Sequence, residues 1–262
     1  MDILDCASAS KSFELLCEIE PATGPDLSRV RRQIAILTGV ADSFLVPDNH
    51  LGRATVSSIA VAREVAALGG AAVACVNSRD RNLLGFRRDL LTAAAYGVDR
   101  FLFVRGDDPS EGTRSTDLTV RRMIDEAHAY GEPTFQVGAT VRASGAVPSW
   151  KNQADFLVAQ VSYDLDSLFA WRESVNYDGK LLAGVMVMAS SKMAKRIAAD
   201  VPEIGVPSQL IDRLDSDRDA GVELALEMIE EIRSSGQFDG VHLVPVGRYA
   251  DVARRIRATK ST

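Results

Sequence analysis

The stretch AAVACVNSRDRNLLGFRRDLLTAAAYGVDRFLFVRG, residues 71–106, decides the fold class. It begins and ends with short apolar runs, 71–77 and 100–106, and the segment 83–97 between them is a helix candidate. The two runs are almost apolar throughout, as is typical of strands that are buried on both faces of a parallel sheet. The stretch therefore predicts a strand–helix–strand unit.

The same alternation continues along the chain. The segments that predict strands are 14–20, 42–47, 71–77, 100–106, 134–140, 155–162, 181–187 and 240–246. The segments that predict helices are 26–38, 54–68, 83–97, 117–130, 164–174, 190–200, 206–214, 217–234 and 247–258. Eight strands that are each followed by a helix close most economically into a (β/α)8 TIM barrel of the α/β class. A doubly wound open sheet is the alternative, but residues 21–28 lack its glycine-rich first turn.

The connection between the fifth and sixth strands departs from this repeat. Residues 141–153 contain Gly145, Pro148 and Ser149, which make a long helix there improbable. We therefore expect a short, non-helical connection at this point of the barrel.

Length and composition are consistent with one globular domain. The chain has 262 residues, the usual size of a single (β/α)8 barrel, so we predict one domain over 1–262 with a loose segment at 1–12. The net charge of −6 argues against a nucleic-acid surface. No apolar run approaches the roughly 20 residues that cross a bilayer, and the acidic N-terminus is not a signal peptide.

The cysteines indicate a reducing compartment. The three cysteines Cys6, Cys17 and Cys75 lie far apart and form no CxxC pair, so neither a disulfide framework nor a zinc knuckle is expected. We predict a cytoplasmic protein that binds neither membrane nor nucleic acid. Apolar helices such as 221–232 are compatible with a homo-oligomer.

Polar residues end the first predicted strand. In a barrel the loops that follow the carboxyl ends of the strands carry the active site. Leu16, Glu18 and Glu20 share one face of the strand, so both glutamates lie in or above the barrel mouth if that face points inward. An apolar setting favours the neutral form of a carboxyl group, which can then donate a proton near neutral pH. An exposed edge strand with solvated glutamates is the alternative.

The third strand ends in Asn77, Ser78, Arg79, Asp80, Arg81 and Asn82. Two arginines and amide side chains at a strand end can bind a phosphate or another anion. The alternative is an ordinary polar loop in which Asp80 caps the following helix.

The fourth strand leaves the core abruptly at Arg105, Gly106 and Asp107. Gly106 lets another backbone segment or a flat ring approach closely, and the Asp107 carboxylate can accept hydrogen bonds from the ring NH groups of a heterocycle. The alternative is a strand-ending turn built by Asp108 and Pro109.

Gln160 lies late in an otherwise apolar sixth strand. A buried amide requires partners, and a ligand with both donors and acceptors supplies them. A core glutamine that is bonded to neighbouring backbone is the alternative.

Other catalytic motifs are absent from the sequence. The histidines His50, His128 and His242 form no metal-binding pattern, and their placement favours structural roles for His128 and His242. We predict no metal site. The chain also has neither a GxSxG elbow nor a P-loop, so a serine hydrolase or a nucleotide kinase is unsupported.

Taken together, these segments resemble the methylenetetrahydrofolate reductase family. The segments that carry the resemblance are CEIEPATG (17–24), PDNHLGRATVSSIAVA (47–62), SRDRN through RGDDP (78–109), ADFLVAQVSYDLDSLFAW (154–171) and VHLVPVGRYADV (241–252). The resemblance spans roughly residues 14–258 and is most specific in 78–109.

The resemblance implies a reductase that converts 5,10-methylenetetrahydrofolate to 5-methyltetrahydrofolate. The hydride would come from NADH or NADPH, either through bound FAD or directly. Glu18 would be the general acid at the pterin, and Asp107 would meet the pterin and flavin edges. Gln160 and Arg248 would bind the folate, with Glu20 as a further candidate on the first strand.

The cofactor side departs from the family pattern. The resemblance implies cofactor contacts from Asp48, Asn49, Cys75, Asn77, Arg79, Arg105, Gly106 and Lys151. However, Cys75 and Asn77 stand where the family usually has histidine and threonine. The family also has a helix with basic residues before the ADF motif, and Lys151 is its single counterpart in this sequence. We therefore expect folate binding together with either loosened FAD or a flavin-free reductase in which the nicotinamide delivers hydride directly.

Two other functions on the same barrel remain open. One is a folate-dependent methyltransferase or demethylase with a corrinoid or thiol methyltransferase partner. The other is a non-catalytic folate-binding regulator.

Overall fold

The computed structural model describes residues 12–109 and 112–260. Its strands form a closed parallel barrel in which each strand pairs with its neighbours in chain order and the last strand pairs with the first. The predicted (β/α)8 fold class is therefore confirmed. The loose segment expected at 1–12 lies, apart from Ser12, outside the described residues, and the single-domain organisation stays a prediction.

The elements follow the predicted alternation. The strands are β1 (Glu14–Glu18), β2 (Ser43–Val46), β3 (Ala72–Asn77), β4 (Arg100–Val104), β5 (Gln136–Val141), β6 (Phe156–Val161), β7 (Lys180–Met186) and β8 (Gly240–Val244). The helices are α1 (Ser28–Leu37), α2 (Ser58–Ala67), α3 (Leu83–Tyr96), α4 (Val120–His128), α5 (Leu165–Ser174), α6 (Ser191–Asp200), α7 (Ser208–Ser216), α8 (Ala220–Ser235) and α9 (Tyr249–Lys260). Short 3-10 helices lie at His50–Gly52, Ser149–Gln153 and Pro202–Ile204.

The β5–β6 connection is as short as the sequence predicts. Within the part of the chain that the structure describes, its only regular element is the 3-10 helix Ser149–Gln153. Every other strand is followed by an α-helix before the next strand begins. The chain therefore crosses from β5 to β6 through this 3-10 helix rather than through an α-helix.

Alternation along each strand separates two apolar cores. Leu15 and Cys17 of β1, and Ile19 just after it, point outward into the large core between the barrel and its helices. Leu16 points inward, where it packs in a smaller core with residues from other strands. The members of this inner core are Leu16, Leu45, Val73, Cys75, Leu102, Phe156, Val158 and Leu182. Glu14 and Glu18 lie on the same inward face, below and above this apolar layer.

An ion cluster closes the floor of the barrel below the inner core. Glu14 accepts hydrogen bonds from Arg100 at 2.5 Å and from Ser43 at 2.7 Å, and Lys180 lies 3.7 Å away. Burial by itself raises the pKa of Glu14, but the bonds from Arg100 and Ser43 outweigh it and hold this pKa below its ordinary value. Since the floor is closed, a ligand enters the barrel from the other end.

The helices of the described residues are too short or too polar to cross a membrane.

Candidate functional site

A hollow of about 390 Å³ lies at the carboxyl ends of the strands, above the inner core. Its walls come from almost every strand, and we call it the mouth hollow. The polar side chains that line it include Glu18, Cys75, Asp107, Thr140, Gln160 and His242. The structure thus brings Glu18, Asp107 and Gln160, which are far apart in the sequence, around one cavity of ligand size.

Glu18 reaches the mouth hollow because it is the last inward-facing residue of β1. Its side chain is 19% exposed, and its Oε2 lies 3.2 Å from Nε2 of His242 on β8. Leu16 of β1 pairs in register with His242 of β8. The side chains of Glu18 and His242 therefore extend from neighbouring strands on the same inward face. The expected inward direction of Glu18 is what the structure has, whereas its catalytic role stays a prediction.

His242 is the residue that sequence reasoning missed, because a structural role was favoured for it. A usable signal was present: His242 stands between Val241 and Leu243, and both neighbours point outward into the large core. Alternation therefore turns His242 toward the barrel interior. An inward-facing polar side chain that borders the mouth of a barrel is placed to take part in the site.

The turn after β4 places Asp107 at the mouth hollow, and Gly106 is tightly packed in that turn. Its φ is +79°, and a Cβ would meet Cβ of Asn77 at 3.1 Å and Cβ of Arg79 at 3.2 Å. The side chains of Asn77 and Arg79 therefore make one close approach that requires glycine, and the approach of a flat ring stays a prediction. Gly106 still lines the hollow, as do Arg105 and the exposed Asp107.

Gln160 is exposed at the mouth, so the expectation of a buried amide was wrong. The reason is an irregularity in β6 between Val158 and Val161 that shifts the register with β7. A Cβ at Gly184 of β7 would lie 2.6 Å from the carbonyl oxygen of Ala159, so only glycine admits this bulge. The amide of Gln160 makes no hydrogen bond with any described residue and is free for a ligand.

The arginines that follow β3 form ion pairs with carboxylates of the protein itself. Arg81 bonds Asp48 and Asp89, each at 2.6 Å, and the Asp48 carboxylate also accepts from the backbone N–H of the buried Asn77 at 3.0 Å. Burial lowers the pKa of Arg81, but the Asp48 and Asp89 carboxylates more than offset this and raise it. The predicted anion site at this strand end is therefore filled by the protein's own side chains.

Arg79 is buried, with 2% of its side chain exposed. It donates to Asp80 at 2.6 Å, to the carbonyl oxygen of Asp107 at 2.8 Å and to that of Asn49 at 3.2 Å. The hydrogen bond from Arg79 lowers the pKa of Asp80 to about 2. Arg79 thus braces the loop that carries Asp107, and its contact with a cofactor stays a prediction.

The same network holds Asp80 and Asn49 beside β3. Asp80 does not cap α3, since Asn82 accepts from the backbone N–H of Gly85 at 2.8 Å. Asn49 has a φ of +45° and donates from its amide to Asp80 at 2.8 Å. Cys75 faces inward beneath the hollow, and burial raises the pKa of its thiol, so it lies there as a neutral, apolar group.

Glu20 and Arg248 lie outside the mouth hollow. Glu20 follows the end of β1 and pairs with Arg29 on α1. Arg248 pairs with Asp251 at 2.6 Å and with Asp219 at 2.5 Å. The structure does not bring these two residues together with Glu18, because each turns toward charged partners on the surrounding helices.

A second cavity of about 720 Å³, here called the side cavity, opens beside the hollow. Arg105 and Thr140 line both cavities. Lys151 donates to the carbonyl oxygen of Thr140 at 2.6 Å and lies 5.4 Å from the centre of the Trp150 ring. Burial lowers the pKa of Lys151. Arg114 and Arg121 also line the side cavity. With these cations and the Trp150 ring, the cavity suits an anionic ligand with a flat ring.

No three His, Cys, Asp or Glu side chains gather to hold a metal ion within 12–109 and 112–260.

The closed barrel and its polar mouth define this chain as a (β/α)8-barrel protein with a ligand-sized site at the carboxyl ends of its strands. Residues 150–256 match the model of the methylenetetrahydrofolate reductase family. This match confirms the resemblance inferred from the sequence over the segment that holds Lys151, Gln160, His242 and Arg248. No curated protein matches the chain.

Several solved structures share the fold at low sequence identity. An uncharacterized protein from Clostridium thermocellum that binds two copies of 5-methyl-5,6,7,8-tetrahydrofolic acid aligns with a TM-score of 0.66 at 13% identity, covering 95% of this chain and 97% of that one. The EDTA monooxygenase EmoA from Chelativorans sp. BNC1 aligns with a TM-score of 0.53 at 11% identity, covering 95% and 94%. Tryptophan synthase from M. tuberculosis aligns with 0.52 at 16% identity, covering 95% and 90%. Identities this low show the fold alone.

Proposed function

We propose that this protein reduces 5,10-methylenetetrahydrofolate to 5-methyltetrahydrofolate with hydride from a nicotinamide. The observation that carries the proposal is the convergence of Glu18, Asp107 and Gln160 on one hollow. The family match over residues 150–256 supports it. So does the tetrahydrofolate that the Clostridium thermocellum protein binds on the same fold.

Each of the three side chains has a chemical task that the pterin sets. The ring presents N–H donors along one edge, which suit the Asp107 carboxylate, and mixed donors and acceptors, which suit the free amide of Gln160. Glu18, above the apolar inner core, would protonate N10 of the folate. The bond from N10 to the methylene carbon then breaks, and the iminium formed at N5 accepts the hydride.

Two of the residues that the resemblance assigns to FAD, Asp48 and Arg79, are already held by the protein's own groups. The Asp48 carboxylate is bonded to Asn77 and Arg81, and the Arg79 guanidinium is bonded to Asp80 and two backbone carbonyls. A dinucleotide would have to break these buried contacts before it could use the groups. We therefore propose that hydride passes from the nicotinamide to the folate directly.

The side cavity is our candidate seat for the rest of the nicotinamide dinucleotide. Arg105, Arg121 and Lys151 offer cations for its diphosphate, and Trp150 offers a face for a flat ring. Because Arg105 and Thr140 border both cavities, a dinucleotide held there can extend its nicotinamide toward the pterin. We further propose a cytoplasmic location and leave a homo-oligomer as a prediction from the sequence.

The proposal is tested by mixing the purified protein with methylenetetrahydrofolate and NADH or NADPH, with and without added FAD. We expect nicotinamide oxidation that needs no FAD, and we expect no flavin absorbance in the protein as purified. Bound flavin that is required for turnover would overturn the direct transfer. No oxidation under any of these conditions would overturn the reductase.

The same preparation separates the two alternative functions. Methyl transfer from 5-methyltetrahydrofolate to a corrinoid or a thiol, without nicotinamide consumption, would select the methyltransferase. Folate binding without any turnover would select the non-catalytic regulator, for which Glu18→Gln would leave folate affinity nearly unchanged.

A further inference from the structure

We infer that His242 and Glu18 act as a pair that shares one proton: Glu18 gives this proton to the folate, and His242 then relays a new proton from solvent to Glu18. This inference rests on the proposed reductase and adds to it a residue that the family resemblance did not assign. His242 contacts Glu18 rather than the folate in this scheme, so we treat it as a positioning and proton-supplying residue.

The geometry of the pair carries the inference. Nε2 of His242 lies 3.2 Å from Oε2 of Glu18, and the two side chains are 12% and 19% exposed. The nitrogen is buried and has no aligned hydrogen-bond partner among the described residues. A buried imidazole nitrogen without such a partner is costly unless a proton or a ligand completes its contacts. Catalytic hydrogen bonds are often poorly aligned before the substrate binds, so this spacing suits a pair that tightens on binding.

The other titratable groups around the pair do not replace His242. Those that line the mouth hollow are Asp48, His50, Cys75, Arg105 and Asp107. Asp48 is bonded to Arg81, and burial raises the pKa of the Cys75 thiol, which keeps it protonated. Behind the pair, the Tyr249 hydroxyl accepts a hydrogen bond from the backbone N–H of Glu20, and burial raises the pKa of Tyr249. Among described residues, His242 alone forms an ion pair with Glu18.

The chemistry explains why the reaction needs such a pair. A carboxyl group in water has a pKa of about 4.3 and is almost fully ionised at neutral pH, whereas an imidazole near 6.5 still holds a proton on a useful fraction of molecules. A pterin that covers the mouth removes water and disfavours the charge-separated form of the pair. The proton then resides on Glu18, ready for donation.

Atoms and charges balance over one turnover. Glu18 gives its proton to N10 as the bond from N10 to the methylene carbon breaks, and the hydride from the nicotinamide reduces that carbon. Glu18 is then a carboxylate beside a neutral His242. When the product leaves, His242 takes one proton from solvent and passes it to Glu18, so one external proton is consumed for each nicotinamide oxidised.

The test compares His242→Gln with His128→Gln. His128 is a matched control, because its Nε2 lies 3.4 Å from Oδ2 of Asp155 in an exposed pair away from the mouth hollow. We expect His242→Gln to lower kcat at neutral pH by about 10- to 100-fold with little change in the KM for folate. The alkaline limb of its kcat profile should move to lower pH. His128→Gln should match the wild type in all three.

A second variant guards against a structural explanation. We expect His242→Ala to regain part of its kcat when free imidazole is added, whereas Glu18→Gln regains none. Thermal unfolding confirms that each variant is folded. This inference alone is overturned if the wild type is active, the kcat profile of His242→Gln is unchanged and imidazole does not rescue His242→Ala. A wild type without folate turnover would overturn the proposed function and this inference with it.

Discussion

The floor and the mouth of the barrel each receive a glutamate from the same face of β1, and the two are treated in opposite ways. Glu14 at the floor is held by Arg100, Ser43 and Lys180. Glu18 at the mouth has, among described residues, one loosely aligned ion-pair partner and faces an open hollow. Identical side chains thus serve stability at one end and remain available for chemistry at the other. The direction of β1 places Glu14 at the floor of the barrel and Glu18 at its mouth.

The largest expected effect is the loss of activity in Glu18→Gln. Because the amide cannot donate a proton to N10, we expect kcat to fall by about 100- to 10,000-fold. The free energy of unfolding should change little. The control is Glu14→Gln, whose kcat per folded molecule should equal that of the wild type in steady-state kinetics. Equal kcat in the two variants would break the contrast between mouth and floor.

The reciprocal effect is a loss of stability in Glu14→Gln. Removing the negative charge leaves Arg100 buried, at 14% exposure, without its counter-ion. We expect the free energy of unfolding to fall by about 2–3 kcal/mol, measured by urea denaturation. Glu18→Gln should lie within about 0.5 kcal/mol of the wild type. A floor variant as stable as the mouth variant would contradict the structural role of Glu14.

A smaller loss of stability is expected for Gly106→Ala. Both φ, at +79°, and the contact with Asn77, at 3.1 Å, oppose a Cβ, so we expect a cost of about 1–3 kcal/mol. Gly112→Ala is the matched control, since Gly112 has a φ of +75° but open space around it. The extra loss in Gly106→Ala measures the packing of the turn that aims Asp107, and equal losses would show that packing adds nothing.

The smallest effect is a pH dependence that comes from Asp80. Arg79 depresses the pKa of Asp80 to about 2, so its stabilising effect is full above the ordinary carboxyl pKa and is lost as the pH falls toward about 2. The side chain is 27% exposed, so we expect only about 1 kcal/mol. Asp80→Asn should lose less stability than the wild type between neutral and acid pH, and parallel curves would contradict the pairing.

Much of the fold followed from the sequence, because it depends on local alternation. The apolar runs placed every strand, and Gly145 and Pro148 marked the short β5–β6 connection. Spacing placed Glu18 on the same face as Leu16, and the structure shows that this face points inward. These inferences succeed because the two-residue period of a strand is written in neighbouring residues.

The site was predicted only in part, because its polar contacts join distant segments. Arg81 was a candidate anion ligand until the structure brought Asp48 and Asp89 to it. Gln160 was expected to be buried but is exposed, because β6 has a bulge there. The bulge depends on Gly184 of β7, so the sequence of β6 by itself does not reveal it. His242 was passed over because a structural role was favoured for it, although the alternation with Val241 and Leu243 pointed it toward the barrel interior.

The most direct test of the central claim is the affinity for 5-methyltetrahydrofolate, measured by isothermal titration calorimetry in Asp107→Asn and Asp108→Asn. Asp107 lines the mouth hollow, whereas the neighbouring Asp108 is exposed and pairs with Arg114. A lost charge-assisted hydrogen bond to the pterin should weaken binding about tenfold or more in Asp107→Asn. Asp108→Asn should bind like the wild type. Equal affinities in the two variants and the wild type would contradict a pterin held at this hollow.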